Sequence, residues 1–185
     1  MPIAALDWTP ALDRPDLLAP GTTAALTRWA DADPAVAAAV RVAEIDPDLA
    51  DTVALTAAYG LPLDASANCV LVAGRRAGEE RVAAAVVLAS TRADVNNAVK
   101  RLLDVRKASF MAMDRAVEES GMEYGGITPI GLPQAWRVLV DARVRDAGDV
   151  VVGSGLRRSK LTLPGALLGT MPAVEVVQDL GLDAA

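Results

Sequence analysis

The chain of 185 residues contains no histidine and a single cysteine, Cys69. Without histidine it cannot build a Ser-His-Asp or Cys-His catalytic unit, so an enzyme of this sequence would have to use carboxylates, lysine, tyrosine, hydroxyls, main-chain groups or the substrate itself. One cysteine cannot form an internal disulfide, and without histidine a structural zinc site is almost excluded. We therefore expect no metal and no cofactor, and Cys69 is predicted to be an inert core thiol.

Long hydrophobic runs are also missing. No apolar stretch reaches the roughly 18 residues that a membrane-spanning helix needs. Residues 1–7 carry no basic region ahead of an apolar segment, so no signal peptide is expected. Together with the lone cysteine, these features predict a soluble, cytoplasmic protein with no membrane partner, either a monomer or a homodimer.

Aromatic residues are scarce at 3%, whereas 52% of the residues are apolar, so the core must be built mainly from Ala, Val and Leu. The length suits one well-packed core. The net charge of −6 argues against broad, non-specific binding to nucleic acid. Basic clusters such as Arg157, Arg158 and Lys160 are typical of a solvated surface, although they could also form a local basic patch.

The first half of the chain changes from helical to strand-like patterns. Residues 1–50 are predicted to be helical, with one helix running from Pro34 through Ala43. A further helix is expected from about residue 51 to 59, begun by a cap at Asp51 and Thr52 and ended by Gly60. Two apolar runs, 69–73 and 82–88, flank a polar turn and predict a β-hairpin with buried strands.

The second half alternates helices and short strands. Asp94 is predicted to cap an amphipathic helix over residues 95–103, and a short helix is expected over 114–120. Apolar runs then predict strands near 138–140, 150–152, 160–163 and 174–177, with a short helix at 164–168 and a frayed tail at 181–185. This order favours an α/β (α+β) fold with a mixed, partly barrel-like sheet, flanking helices and a helical N-terminal extension. We divide the chain into a helical N-terminal extension, residues 1–50, and a domain on which it packs, residues 51–185.

A glycine-rich loop over residues 125–131 is the strongest chemical feature. Its glycines allow main-chain amides and carbonyls to approach a ligand closely, and its proline stiffens the loop. Such a loop can position a small substrate with backbone groups alone, but it can also be merely a tight connection. The small residues Gly153, Ser154 and Gly155 follow a predicted strand and could line a pocket floor.

Three further polar or aromatic residues leave their roles open. Asn68 lies directly before the first hairpin strand and is either a turn residue or a hydrogen-bonding residue of a pocket. Tyr124 adjoins the glycine-rich loop, where it could pack against a ligand or into the core. Tyr59 ends the helix that precedes this region.

In the order and spacing of these segments, residues 51–180 resemble the YbaK/EbsC family, which is related to the editing domain of bacterial prolyl-tRNA synthetases. The most specific part is the run from Gly121 to Gly131, followed in family order by the strand ending at Asp141 and by residues 152–155. The resemblance implies a pocket for a small amino acid and hydrolysis in trans of a mischarged aminoacyl-tRNA at its 3′ end, with the proline tRNA as the typical carrier.

The resemblance also implies a set of site residues. The predicted catalytic residues are Gly125, Gly126 and Asn68. The predicted substrate-binding residues are Thr52, Tyr59, Ile127, Thr128, Pro129, Gly131, Gly153, Ser154 and Gly155.

The sequence departs from the family at one position. Family members usually carry a lysine near the start of the first core strand, thought to contact the terminal phosphate or ribose of the substrate, and the matching residue here is Asn68. Asparagine keeps hydrogen bonding but loses the charge. Two alternatives therefore stand beside a deacylase: a non-catalytic or altered-specificity module that binds an aminoacyl or nucleotide-like ligand or a protein partner, and a hydrolase for another small ester or amide.

Overall fold

The structure is a computed structural model, described here for residues 6–183. The expectation that no signal peptide is present rests largely on residues 1–5, which lie outside the described residues, as do residues 184–185 of the tail. No helix in residues 6–183 is long and apolar enough to cross a membrane.

Seven α-helices are described, most of them short. They are α1 Pro20–Ala32, α2 Ala35–Ala39, α3 Thr52–Tyr59, α4 Lys100–Leu103, α5 Met113–Ser120, α6 Ala142–Asp146 and α7 Gly165–Leu168. The strands are β1 Thr9–Pro10, β2 Arg41–Glu44, β3 Ala67–Arg76, β4 Glu79–Leu88, β5 Thr91–Ala93, β6 Ala108–Phe110, β7 Arg137–Asp141, β8 Asp149–Gly153, β9 Ser159–Pro164, β10 Val174–Val177 and β11 Gly181–Asp183.

The strands form two large sheets and a small one. A mixed five-stranded sheet has the order β10-β7-β4-β3-β6, and a four-stranded antiparallel sheet has the order β1-β2-β9-β8. The strands β11 and β5 pair separately. The mixed α/β fold is confirmed. The described strands do not close into a barrel; the two large sheets meet at an isolated bridge between Ser66 and Val151.

The predicted hairpin is confirmed as β3 and β4, which pair antiparallel along their whole length. Ala77 and Gly78 at its tip both have positive φ, which suits the tight turns that match the twist of hairpin strands. Residues 83–85, three alanines, are fully buried in β4. Their small side chains let the covering elements approach the sheet closely.

The helix predicted through Ala43 is wrong. The chain leaves the helical conformation after Ala39 and forms β2, which pairs antiparallel with β9. The two central residues of this strand, Val42 and Ala43, are buried, while Arg41 and Glu44 at its ends are exposed. Pairing with β9 therefore outweighs the helix propensity of the preceding alanines. Residues 1–50 are not purely helical, and their division from the rest stays a prediction.

Other elements follow the sequence patterns closely. The α3 helix ends at Gly60, where φ is 61°, and the predicted helix over 95–103 begins with a π-helical turn, Val95–Val99, whose first amides are capped by Asp94. The tail expected to be frayed forms β11 over its first three residues.

Candidate active site

A cavity of about 290 Å³ opens between the two large sheets, where β3 begins and β8 ends. The segment entering α3 forms one wall, and the start of the glycine-rich loop forms another. The apolar lining residues are Ala50, Leu55, Ala67, Val70, Ile127, Val151 and Val152. The remaining lining residues are Thr52, Ser66, Asn68, Cys69, Tyr124, Gly125, Gly153 and Lys160.

The cavity opens to solvent, and its lining ranges from buried to exposed side chains. Leu55, Val151 and Lys160 are 3%, 2% and 7% exposed, and we call this buried part of the lining the floor. Tyr124 is 54% exposed and marks the mouth.

The glycine-rich loop is held rigidly against the turn after β8. The amide of Gly126 donates to Glu123 O at 2.9 Å, and its carbonyl accepts from the amide of Gly155 at 2.7 Å. The Gly153 main chain lies so close that a Cβ there would sit 2.2 Å from Gly126 O. Both main-chain polar groups of Gly126 thus hold the loop in place, and Gly125 and Ile127 are the loop residues that line the cavity.

A buried lysine that the sequence analysis placed on a solvated surface lines the cavity floor. Lys160 Nζ donates to Ala50 O and to Gly125 O, both at 2.8 Å, and so ties the two walls together. Burial lowers the pKa of Lys160 to about 8, while the negative charge of Asp51 opposes this shift. In the sheet Lys160 lies opposite Gly153, and the glycine-rich loop fills the space that a Gly153 side chain would take. The signal available in the sequence was a lysine inside an otherwise strand-like run.

Asn68 bridges β3 and α3 at the cavity wall. Thr52 Oγ1 donates to Asn68 Oδ1 at 2.6 Å. Asn68 is therefore a pocket residue rather than a turn residue. Ser66, two residues earlier on the same extended segment, has a buried Oγ with no hydrogen-bond partner among the described residues.

The predicted side-chain cap at Asp51 is wrong. Asp51 occupies the N-cap position of α3, but its side chain makes no capping hydrogen bond. Its carboxylate instead lies 3.8 Å from the Arg157 guanidinium, which also donates to Tyr124 O at 3.3 Å. These residues form a charged rim beside the mouth.

The structure brings five of the predicted site residues to the cavity: Thr52, Asn68, Gly125, Ile127 and Gly153. Gly126 and Gly155 lie behind them as supports. Cys69 also lines the cavity and packs against core residues. Burial raises the pKa of its thiol to about 12, so the thiol stays protonated.

The other predicted substrate-binding residues lie away from the cavity. Ser154 is fully buried, with its Oγ 2.8 Å from Ser159 Oγ, and Thr128 is also fully buried. Tyr59, the last residue of α3, packs against a separate hydrophobic cluster. Pro129 and Gly131 line a second, mainly apolar cavity of about 390 Å³ between Trp29 and Trp136. The seven-residue loop thus serves two cavities, and only its beginning reaches the first.

Comparison with known proteins places this fold in a family. A family model for the aminoacyl-tRNA editing domain matches residues 46–170. Among solved structures, the hypothetical protein APE2540 is 20% identical with a TM-score of 0.71, and the match covers 85% of this chain and 99% of that one. A candidate trans-editing enzyme for prolyl-tRNA synthetase is 16% identical with a TM-score of 0.69, and the match covers 91% and 99%.

At these identities the solved structures show a shared fold. None of the proteins of curated function matches the chain in sequence. The family model spans more than half of the chain and includes every residue that lines the first cavity. The N-terminal strands β1 and β2 lie outside the matched range. The chain therefore belongs to the family of aminoacyl-tRNA editing domains.

Proposed function

We propose that the protein is an aminoacyl-tRNA deacylase acting in trans, which hydrolyses the ester of a small amino acid mischarged on tRNA, with the proline tRNA as the first candidate. Membership of the editing-domain family supports the reaction class. The observation that carries the proposal is the cavity itself, in which a small, buried, mainly apolar floor lies beside Asn68 and the rigid start of the glycine-rich loop.

The tRNA is too large to enter, so only its aminoacyl group and terminal ribose can lie in the cavity. With the amino-acid side chain at the floor, the ester lies nearer the mouth, beside Asn68 and Gly125. Attack of water on the carbonyl creates an oxyanion, which needs preorganised hydrogen-bond donors. The side-chain amide of Asn68 is one such donor, and the neighbouring ribose hydroxyl of the substrate can take part in proton movement.

Selection against larger amino acids follows from the floor. Leu55 and Val151 are almost completely buried and belong to one hydrophobic cluster, so they cannot move aside cheaply. A larger side chain would hold the ester too far from the mouth for attack. This kind of discrimination is steric and acts through pocket size.

The purified full chain should be assayed for release of alanine, serine and cysteine from the proline tRNA, with the correctly charged prolyl-tRNA as the matched control. We expect release of at least one of the three and little release of proline. The same esters on a different tRNA test the preference for the carrier. No release above buffer from any of the mischarged tRNAs contradicts the proposal.

A second candidate is a module that binds the aminoacyl end without hydrolysing it. The observation that favours it is the use of both Gly126 main-chain groups inside the protein, which leaves the loop fewer groups for catalysis. The Asn68→Lys variant separates the two candidates. Activity that arises only in this variant would favour the binding module, whereas activity of the parent chain excludes it.

A further inference from the structure

Lys160 is the one charged residue that lines the first cavity within the part of the chain that the structure describes. Its ammonium nitrogen lies 2.8 Å from Ala50 O and 2.8 Å from Gly125 O, and both of these residues also line the cavity. An ammonium group has three N–H donors, of which the two carbonyls take two. One charged donor is therefore left without a protein acceptor in residues 6–183.

The stability of the fold does not account for a lysine at this position. The Asp51 carboxylate, whose charge acts on Lys160, lies 3.8 Å from the guanidinium of Arg157 instead. A buried charge without an ion partner destabilises a folded protein, and an apolar side chain of similar length fills the same space without that penalty. Burial lowers the pKa of Lys160 to about 8, which reflects this unfavourable environment. A charge kept in such a cavity indicates a role in binding or catalysis.

The ammonium group of Lys160 lies beside the place where the proposed function puts the ester. Lys160 belongs to the floor, but its Nζ atom reaches Gly125 O on the wall formed by the start of the glycine-rich loop. The ester lies beside Asn68 and Gly125, which brings it within reach of Nζ. The carbonyl oxygen of the ester is the substrate atom that becomes negative during hydrolysis, so a cationic donor suits it.

We propose that Lys160 is a catalytic residue whose third N–H donates to the carbonyl oxygen of the ester and stabilises the negative charge that develops there. This inference rests on the proposed function and deepens it. The water oxygen bonds to the carbonyl carbon, and an electron pair moves to the carbonyl oxygen. When this pair returns, the bond to the ribose oxygen breaks, and a proton of the attacking water passes to that oxygen through the neighbouring hydroxyl. Lys160 keeps its own proton throughout.

The first test replaces the charge and leaves an apolar side chain of similar length. With the mischarged ester that the parent chain releases fastest, Lys160→Met should lower kcat by about 100-fold or more and leave KM little changed, because the lost interaction exists only in the transition state. Lys107→Met is the matched control, since Lys107 is exposed and does not line the cavity. Its kcat should equal that of the parent.

The pH dependence separates a charged donor from a mere tie between the cavity walls. Lys160 loses its charge as the pH rises through about 8, under the opposing influences of Asp51 and Arg157. The Cys69 thiol stays protonated over this range, because burial raises its pKa to about 12. The ratio of kcat/KM between the parent and Lys160→Met, measured above the rate in buffer, should therefore fall about tenfold from pH 7 to pH 9.

Binding of two stable analogues of alanyl-adenosine tests the same contact without turnover. In one analogue a phosphonate with a negative charge replaces the ester, and in the other a neutral amide replaces it. The parent should bind the phosphonate at least about tenfold more tightly at pH 7, and this preference should disappear in Lys160→Met but not in Lys107→Met. In the parent alone the preference should decrease from pH 7 to pH 9, which decides the inference even if Lys160→Met does not fold.

The outcomes separate this inference from the proposed function. An active parent with an unaltered kcat in Lys160→Met, or with a lower kcat but a constant ratio across pH, overturns the role of Lys160 and leaves the deacylase in place. Equal binding of the two analogues by the parent also overturns it. A phosphonate preference that depends on Lys160, together with no hydrolysis of any ester, contradicts the deacylase but supports Lys160 as the group that binds an anionic centre.

Discussion

Lys160 is a buried charged residue whose surroundings account for its lowered pKa. Its ammonium group is buried, and among residues 6–183 no carboxylate lies within ion-pairing distance of it. Two main-chain carbonyls solvate it instead, one from each wall of the cavity. Burying a charge in this way is unfavourable, which is why the pKa falls from 10.5 to about 8.

This shift makes a testable contribution to the pH dependence of stability. Because the pKa of Lys160 is lower in the folded than in the unfolded protein, the unfolded chain binds more protons between about pH 8 and pH 10. Stability contributed by this group therefore rises as the pH increases through that range, by at most about 3 kcal/mol. Urea unfolding at pH 7 and pH 10 should show this gain in the parent chain relative to Lys160→Met.

Lys107→Met is the control, since Lys107 is exposed and its removal should leave the pH dependence of the parent chain in place. If the unfolding free energy of Lys160→Met changes with pH as that of the parent does, the buried ammonium group of Lys160 does not destabilise the folded protein.

Asn68 offers a second prediction at this scale. Asn68→Ala removes the side-chain amide from the cavity and leaves Thr52 Oγ1 without its acceptor. One lost hydrogen bond of about 1 to 1.5 kcal/mol in the transition state lowers kcat/KM about tenfold. Asn96→Ala is the control, because Asn96 is exposed on the π-helical turn and does not line the cavity. Equal deacylation by the two variants would remove Asn68 from the site.

At the scale of elements, the sequence predicts what is decided locally. The hairpin of β3 and β4 follows from two apolar runs joined by a short turn, and the helix over residues 95–103 follows from its apolar spacing and the Asp94 cap. The short strands β2 and β6 have no comparable local pattern, because they are fixed by partners far along the chain. Contacts of this kind outweigh local propensity.

The same distinction applies to the site. Asn68 and Gly125 could be predicted because each lies beside a recognisable segment. Lys160 and Ser66 could not, because their place depends on how β9 and β8 pair and on where the two large sheets meet. The sequence does not reveal the register of β8 and β9, so it cannot show that Lys160 pairs with Gly153 and lines a cavity. Pro129 and Gly131, which the sequence also predicts to bind substrate, line a different cavity because the loop extends past the first one.

The packing of β8 against the glycine-rich loop makes Gly153 a sensitive position. In Gly153→Ala the new Cβ would lie 2.2 Å from Gly126 O and 2.4 Å from Ile127 O, so the loop must move. We expect loss of at least about 2 kcal/mol of stability and of most activity, because overpacking against main chain is not relieved by side-chain rotation. Thermal unfolding and deacylation rates measure both effects.

Gly78→Ala is the appropriate comparison. Gly78 has a φ of 85° in the hairpin turn, but a Cβ there meets no atom within 4 Å. Its replacement therefore costs only backbone strain of about 1 kcal/mol, far from the cavity. Full activity in Gly153→Ala would show that the close contact between β8 and the loop is not needed.

For the molecule as a whole, residues 11–42 contribute to the same core as the strands of the site. Leu17, Leu26 and Val42 belong to the largest buried cluster, together with Leu161 of β9. Ser159 Oγ also donates to Leu17 O at 2.6 Å. The strand that carries Lys160 thus depends on the N-terminal segment for one of its two neighbours.

This integration predicts that residues 51–185 do not fold as an independent domain. Removal of residues 1–50 takes β2 away from β9, exposes the backbone edge of β9, and uncovers the apolar side chains that face α1. We expect the shortened chain to lose cooperative thermal unfolding and to expose hydrophobic surface that binds a reporter dye.

In the full chain, Val42→Asp should have a similar effect, because it buries an unpaired carboxylate at a fully buried position. Arg41→Ala, one residue away and exposed, is the control. If the shortened chain melts cooperatively near the temperature of the full chain and retains deacylation, residues 1–50 are an accessory layer, and the positioning of Lys160 does not require β2.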